Sequence, residues 1–85
     1  MPTAAAAFAL ALRQGIRAER ARQGLSQTDF AERMGWSRQV ASNTETGVRV
    51  IPAYELPAIC DALGVSLAKL VQDAPESELR KLGLR

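Results

Sequence analysis

Arg38, Gln39, Ser42, Asn43 and Thr46 lie within one short segment, and every one of them is polar. On a helix opening at Ser37 they fall on one side, while Val40, Ala41 and Thr44 fall on the other. Their chemistry suits the edges of paired bases. The Arg38 guanidinium is a planar fork that matches guanine O6 and N7, and the amides of Gln39 and Asn43 each match adenine N6 and N7. A helix face bathed in water is polar as well. Such a face more often carries Glu or Lys, and the only acid in the segment is Glu45, near its C-terminal end. The residues by themselves suit both a solvated face and a base-reading one.

The elements that hold this segment are marked by a tripeptide of glycine, an apolar residue and serine. It occurs as Gly24-Leu25-Ser26, Gly35-Trp36-Ser37 and Gly64-Val65-Ser66. Glycine reaches the left-handed conformation that closes a helix, and serine accepts a hydrogen bond from the free amides that open the next. The apolar residue between them is placed to point inward. The first two copies enclose a short helix from Ser26 to Met34. Two short helices joined by a tight glycine turn describe a helix-turn-helix, an arrangement that presents its second helix to a DNA groove.

Around that pair the sequence predicts four further helices. The first runs from Thr3 as N-cap to Gly24, with Phe8, Leu12 and Ile16 as its apolar stripe and Gly15 as an unfavourable interior residue. The helix after Ser26 opens with a capping box in which Asp29 is the acid, and it buries Phe30, Ala31 and Met34. Pro52 and Pro57 predict one irregular turn over 52–55 and a regular helix from Leu56 to Leu63, with Ile59, Cys60 and Leu63 inward. A fifth helix is expected from Ser66 to Gln72, burying Leu67, Leu70 and Val71. A short amphipathic helix follows from Glu76 to Leu82, closed by Gly83. We expect one domain over 1–85: a core over 9–72, an extension over 1–8 and a tail helix over 73–85.

The chain has 85 residues and a formal net charge of +2. Residues 1–50 hold seven arginines against four acids, whereas residues 51–85 hold four basic groups against five acidic ones. The basic excess thus accompanies the helix-turn-helix. A lone Cys60 and no His exclude an internal disulfide and argue against a zinc or iron–sulfur centre. No set of catalytic groups and no P-loop is present. The apolar run Ala4 to Leu12 is too short to span a bilayer and has no basic residue before it. These features predict a cytoplasmic, non-enzymatic protein without a cofactor or metal.

Residues 16–71 resemble the Cro and phage-repressor helix-turn-helix family of xenobiotic-response-element-like regulators. The resemblance rests on Ile16-Arg17, Arg20, Gly24-Leu25-Ser26-Gln27, and Phe30-Ala31-Glu32-Arg33-Met34-Gly35. It continues through Ser37-Arg38-Gln39, Glu45, Gly47 and Ala62-Leu63-Gly64-Val65-Ser66-Leu67. It implies an all-α, five-helix lambda-repressor-like domain, here with the short C-terminal helix added. It also implies a recognition helix over 37–46 in the major groove, and a homodimer on double-stranded DNA. Arg38, Gln39, Ser42 and Asn43 are then the candidate base readers. Gln27, Ser37, Thr46 and Arg49 are the candidate phosphate contacts; Gln27 also lies at a helix N-terminus, where free amides favour an anion. Arg17, Arg22 and Arg33 are weaker candidates of the same kind. Arg20 and Glu45 match a structural ion pair joining the first helix to the end of the third.

This sequence departs from the family in carrying Ala41 and Thr44 where bulkier apolar residues are usual, and Trp36 where a small one is. We therefore expect the indole to fill the volume those two leave. No ligand pocket is evident in the sequence. The apolar tails (Phe8, Leu10 and Leu12; Leu79, Leu82 and Leu84) suggest a homodimer. An antitoxin-like role in binding a different protein is the alternative.

Overall fold

A computed structural model describes residues 3–85, and among these residues the fold is all-helical. Six α-helices follow one another: α1 Ala4–Arg22, α2 Gln27–Met34, α3 Arg38–Thr46, α4 Leu56–Leu63, α5 Leu67–Leu70 and α6 Glu76–Lys81. A single turn of tighter helix, Ala53–Glu55, precedes α4. No described helix is long and apolar enough to cross a membrane.

The three glycine junctions share one hydrogen-bond scheme. The amides of Leu25, Trp36 and Val65 donate back to the carbonyls of Arg20, Ala31 and Cys60, at 3.0, 2.8 and 3.1 Å. Each glycine before them has φ between 65° and 72°, which an L side chain adopts only at a cost. Ser26, Ser37 and Ser66 then accept from the amides of Asp29, Val40 and Lys69. At Ser26 the box is complete, because its own amide donates to Asp29 Oδ2 at 3.0 Å. Leu25, Trp36 and Val65 are each half-buried against the core, so every junction is fixed by both its backbone and its apolar residue.

The core is built from Ile16, Phe30, Ala41, Ile59, Leu63 and Leu70, all 2% exposed or less, with Val71 and Leu79 beside them. Gly15 is explained by packing between α1 and α5. A Cβ at that position would lie 1.8 Å from the Leu70 carbonyl oxygen, so the close approach of the α5 backbone excludes any side chain there. Two side chains also satisfy the end of α4: Arg33 Nη1 donates to the Ala62 carbonyl at 2.9 Å and Gln23 Nε2 to that of Leu63 at 2.7 Å.

Several expectations change in detail. The first helix is capped by Thr3 as expected and runs without a break from Ala4, but it ends at Arg22, short of Gly24. The fifth helix stops at Leu70, short of Gln72. The chain turns there, with the Ala74 amide donating to the Val71 carbonyl at 2.8 Å, and this turn buries both Val71 and Ala74. Met34 and Cys60 are half-buried. Of the tail leucines, Leu79 is fully buried and Leu84 packs against the same core. They complete the molecule's own interior and leave Leu82 exposed.

Candidate nucleic-acid interface

α3 is held in place from three sides. Its first turn is capped by Ser37. Its inner face seats Ala41 and Thr44, both with no exposed surface; the Thr44 hydroxyl is satisfied by donating to the Val40 carbonyl at 2.8 Å. Its last turn is clamped to α1 by a fork-to-fork pair. Arg20 Nε donates to Glu45 Oε2 at 2.8 Å and Arg20 Nη2 to Glu45 Oε1 at 2.9 Å. The third nitrogen, Nη1, donates to the Leu25 carbonyl at 2.8 Å. One guanidinium therefore ties together α1, the turn before α2 and the end of α3. The bond to Glu45 raises the Arg20 pKa above its already high value.

The outward side of α3 meets the start of α2. Gln27, the first residue of α2, lines a polar notch of about 140 Å³ together with Arg38, Gln39 and Ser42. No carboxylate lines it. Asn43 joins this group through Gln39, whose Nε2 donates to Asn43 Oδ1 at 2.8 Å. That bond leaves the Gln39 carbonyl oxygen as an acceptor and the Asn43 amide nitrogen as a donor. The notch thus presents a cation and neutral amides, a set that can address both phosphate and base edges.

The other expected contact residues are placed differently. The Ser37 hydroxyl is occupied as a cap by the Val40 amide at 3.2 Å. Thr46 is exposed, and its hydroxyl donates to the Ser42 carbonyl at 3.0 Å. Arg49 stands beyond the end of α3. Its guanidinium is taken by both oxygens of Glu55, lies 4.9 Å over the Trp36 ring, and reaches Thr44 Oγ1 at 3.4 Å. Glu55 raises the Arg49 pKa by the same kind of bond. Arg22 is paired with Glu19, and one nitrogen of the exposed Arg33 donates to the Ala62 carbonyl. Arg17 is exposed.

Trp36 meets Phe30 edge to face, with centroids 5.8 Å apart, and is half-buried. The indole does not close the space beside Thr44 by itself, because an open groove remains there. The link from Trp36 to Thr44 runs through Arg49. Glu55, which anchors Arg49, carried no signal in the sequence: the two are separated by a proline-containing loop with no periodicity. Gln23 escaped notice for a similar reason, since its partner is a backbone carbonyl forty positions away.

A compact helical core that offers a capped, acid-free helix face belongs to the helix-turn-helix class of DNA-binding folds. Residues 16–70 match the helix-turn-helix family model. The chain belongs to this Cro/C1-type helix-turn-helix family of DNA-binding regulators. No solved structure matches the chain.

Proposed function

We propose that this protein is a sequence-specific regulator of transcription, a repressor that binds double-stranded DNA as a homodimer with α3 in the major groove. The observation that carries the reading is the notch shared by Gln27, Arg38, Gln39 and Ser42, with no acid in its lining. Arg38, Gln39, Asn43 and Ser42 take the base edges. Gln27 holds the backbone at the start of α2, where unpaired amides and the helix dipole favour phosphate. Ser37 and Thr46 flank this contact at the two ends of α3. Arg49 acts chiefly by bracing the loop after α3, because Glu55 holds its guanidinium. The apolar side chains available for self-association are Leu10, Leu82 and the loop residues Val48, Val50 and Tyr54, the last two more than four-fifths exposed.

The test is a base-substitution panel on the best DNA site selected from a random pool, at fixed salt. Arg38→Ala costs about 1–3 kcal/mol on that site and relaxes preference at one base pair. Gln27→Ala weakens binding evenly on all sequences and preserves their order. An Arg38→Ala variant with unchanged base preference refutes the reading of α3, and the alternative of a protein that mainly binds a different protein then takes precedence.

A further inference from the structure

A groove of about 460 Å³ opens between the first half of α1 and the loop that follows α3. Phe8 and Leu12 form one wall, and Val50, Ile51 and Leu56 the other. Its size falls within the roughly 300–1,000 Å³ of small-molecule sites, and its lining matches theirs: mostly apolar, with a few placed polar groups. Two of those polar groups are already satisfied. Arg49 is held by Glu55, and the Thr44 hydroxyl is bonded to the Val40 carbonyl.

Arg13 is different. It also lines the groove, yet no carboxylate of the described residues lies within ion-pair distance of it. Its guanidinium rests directly on the backbone of Gly47, where a Cβ would come within 2.6 Å of Nε. The absence of a side chain at Gly47 thus keeps the charged group against the groove wall. An apolar trough with one unpaired, partly buried cation at its side is complementary to an apolar body with one anionic end.

We propose that this groove binds a small apolar carboxylate, with the carboxylate on Arg13 and the hydrocarbon or aromatic body along Phe8, Leu12, Ile51 and Leu56. Thr44 and Gly47 belong to the last turn and the cap of α3, so the ligand touches the helix that carries the interface. The proposal extends to a coupling between the two sites: a change in DNA affinity on occupancy, matched by the same factor in ligand affinity on DNA. This second step rests on the DNA-binding reading above, whereas ligand binding does not.

Titration calorimetry of the full chain with decanoate, and with decanol as its uncharged counterpart, tests the site without DNA. Decanoate binds saturably, one per chain. Decanol, or decanoate with the Arg13→Gln variant, binds at least about tenfold more weakly, because a charge-assisted hydrogen bond is lost. Ala9→Phe, which fills the groove from its exposed wall, abolishes binding while helical content and melting temperature stay near those of the parent. Absence of saturable decanoate binding overturns the proposal, as does equal affinity for decanol or an undiminished Arg13→Gln variant. A parent dimer that Ala9→Phe converts to monomer also overturns it, since the groove's occupant is then a second copy. If decanoate binds as stated but leaves the selected DNA affinity unchanged, the site stands and the coupling falls. Failure to bind any DNA leaves the calorimetric result intact.

Discussion

Arg20 and Glu45 sit face to face, two nitrogens of one guanidinium on the two oxygens of one carboxylate, joining α1 to the last turn of α3. The Glu45 side chain is almost fully enclosed, while Arg20 keeps one edge toward solvent. Removing Glu45 strands a charge that also ties down the Leu25 carbonyl. Glu45→Ala is expected to cost about 3 kcal/mol in urea unfolding, the low end for a broken buried pair because the Arg20 edge is wetted. Arg20→Lys keeps the charge but lacks the planar fork, so it recovers only part of that loss.

Gly15→Ala separates helix propensity from packing. On an isolated helix the change stabilises by about 1 kcal/mol. Here the new methyl group meets the Leu70 carbonyl oxygen, and α5 has to move away. The expected outcome is a lower melting temperature, corresponding to about 1–3 kcal/mol for an overpacked site. A raised melting temperature contradicts the close approach of α1 and α5.

Trp36 is held by an aromatic edge and a cation. Trp36→Ala is expected to destabilise by about 3 kcal/mol, the lower bound for losing a large aromatic, because the indole is half-exposed. Its native emission falls between that of a buried and a free indole. In a double-mutant cycle with Arg49→Ala the two residues couple by about 0.5–1 kcal/mol. Additive losses within error would exclude the stacked arrangement.

Stability depends on acid pH and is flat around neutrality. The Ser26 amide holds the Asp29 carboxyl below the usual carboxylate range, and hydrogen bonds from Arg22 and Lys81 do the same for Glu19 and Glu78. A depressed folded-state pKa contributes stability above the unfolded value of about 4, and that stability is lost as pH falls through the folded value. The chain has no His, the side chain whose ordinary pKa lies between about pH 5 and 8. Thermal melts across pH 2–8 show a plateau and then an acid decline. Asp29→Asn makes the decline shallower, since the capping carboxylate no longer contributes to it.

Gln39 and Asn43 act as a unit. The bond between their amides fixes the orientation of both. On the preferred DNA site, Gln39→Ala and Asn43→Ala each release the partner, so the double variant loses less affinity than the sum of the singles. Strict additivity in a binding titration argues that the two amides read their contacts independently.

Much of this architecture is local and was legible in order along the chain. The three glycine junctions, the capping box at Ser26 and Asp29, and the irregular turn before Leu56 depend on residues within a few positions of each other. The outward polar set on α3 follows from helical period alone, and the Arg20–Glu45 pair was recognised from the family pattern.

Tertiary structure decided what depends on distant partners. It showed Gly15 to be the seat of the Leu70 carbonyl, where composition marked only an unfavourable helix residue. It paired Arg49 with Glu55 and brought one nitrogen of Arg33 onto the Ala62 carbonyl, partners that no local spacing indicates. It drew Leu79 and Leu84 into the core, and it opened the groove beside Thr44 that no spacing in the sequence announced. The physical reason is the same throughout. Caps and helical faces are fixed by backbone geometry over one or two turns, whereas the partner of a long side chain and the volume left between helices depend on how those helices pack.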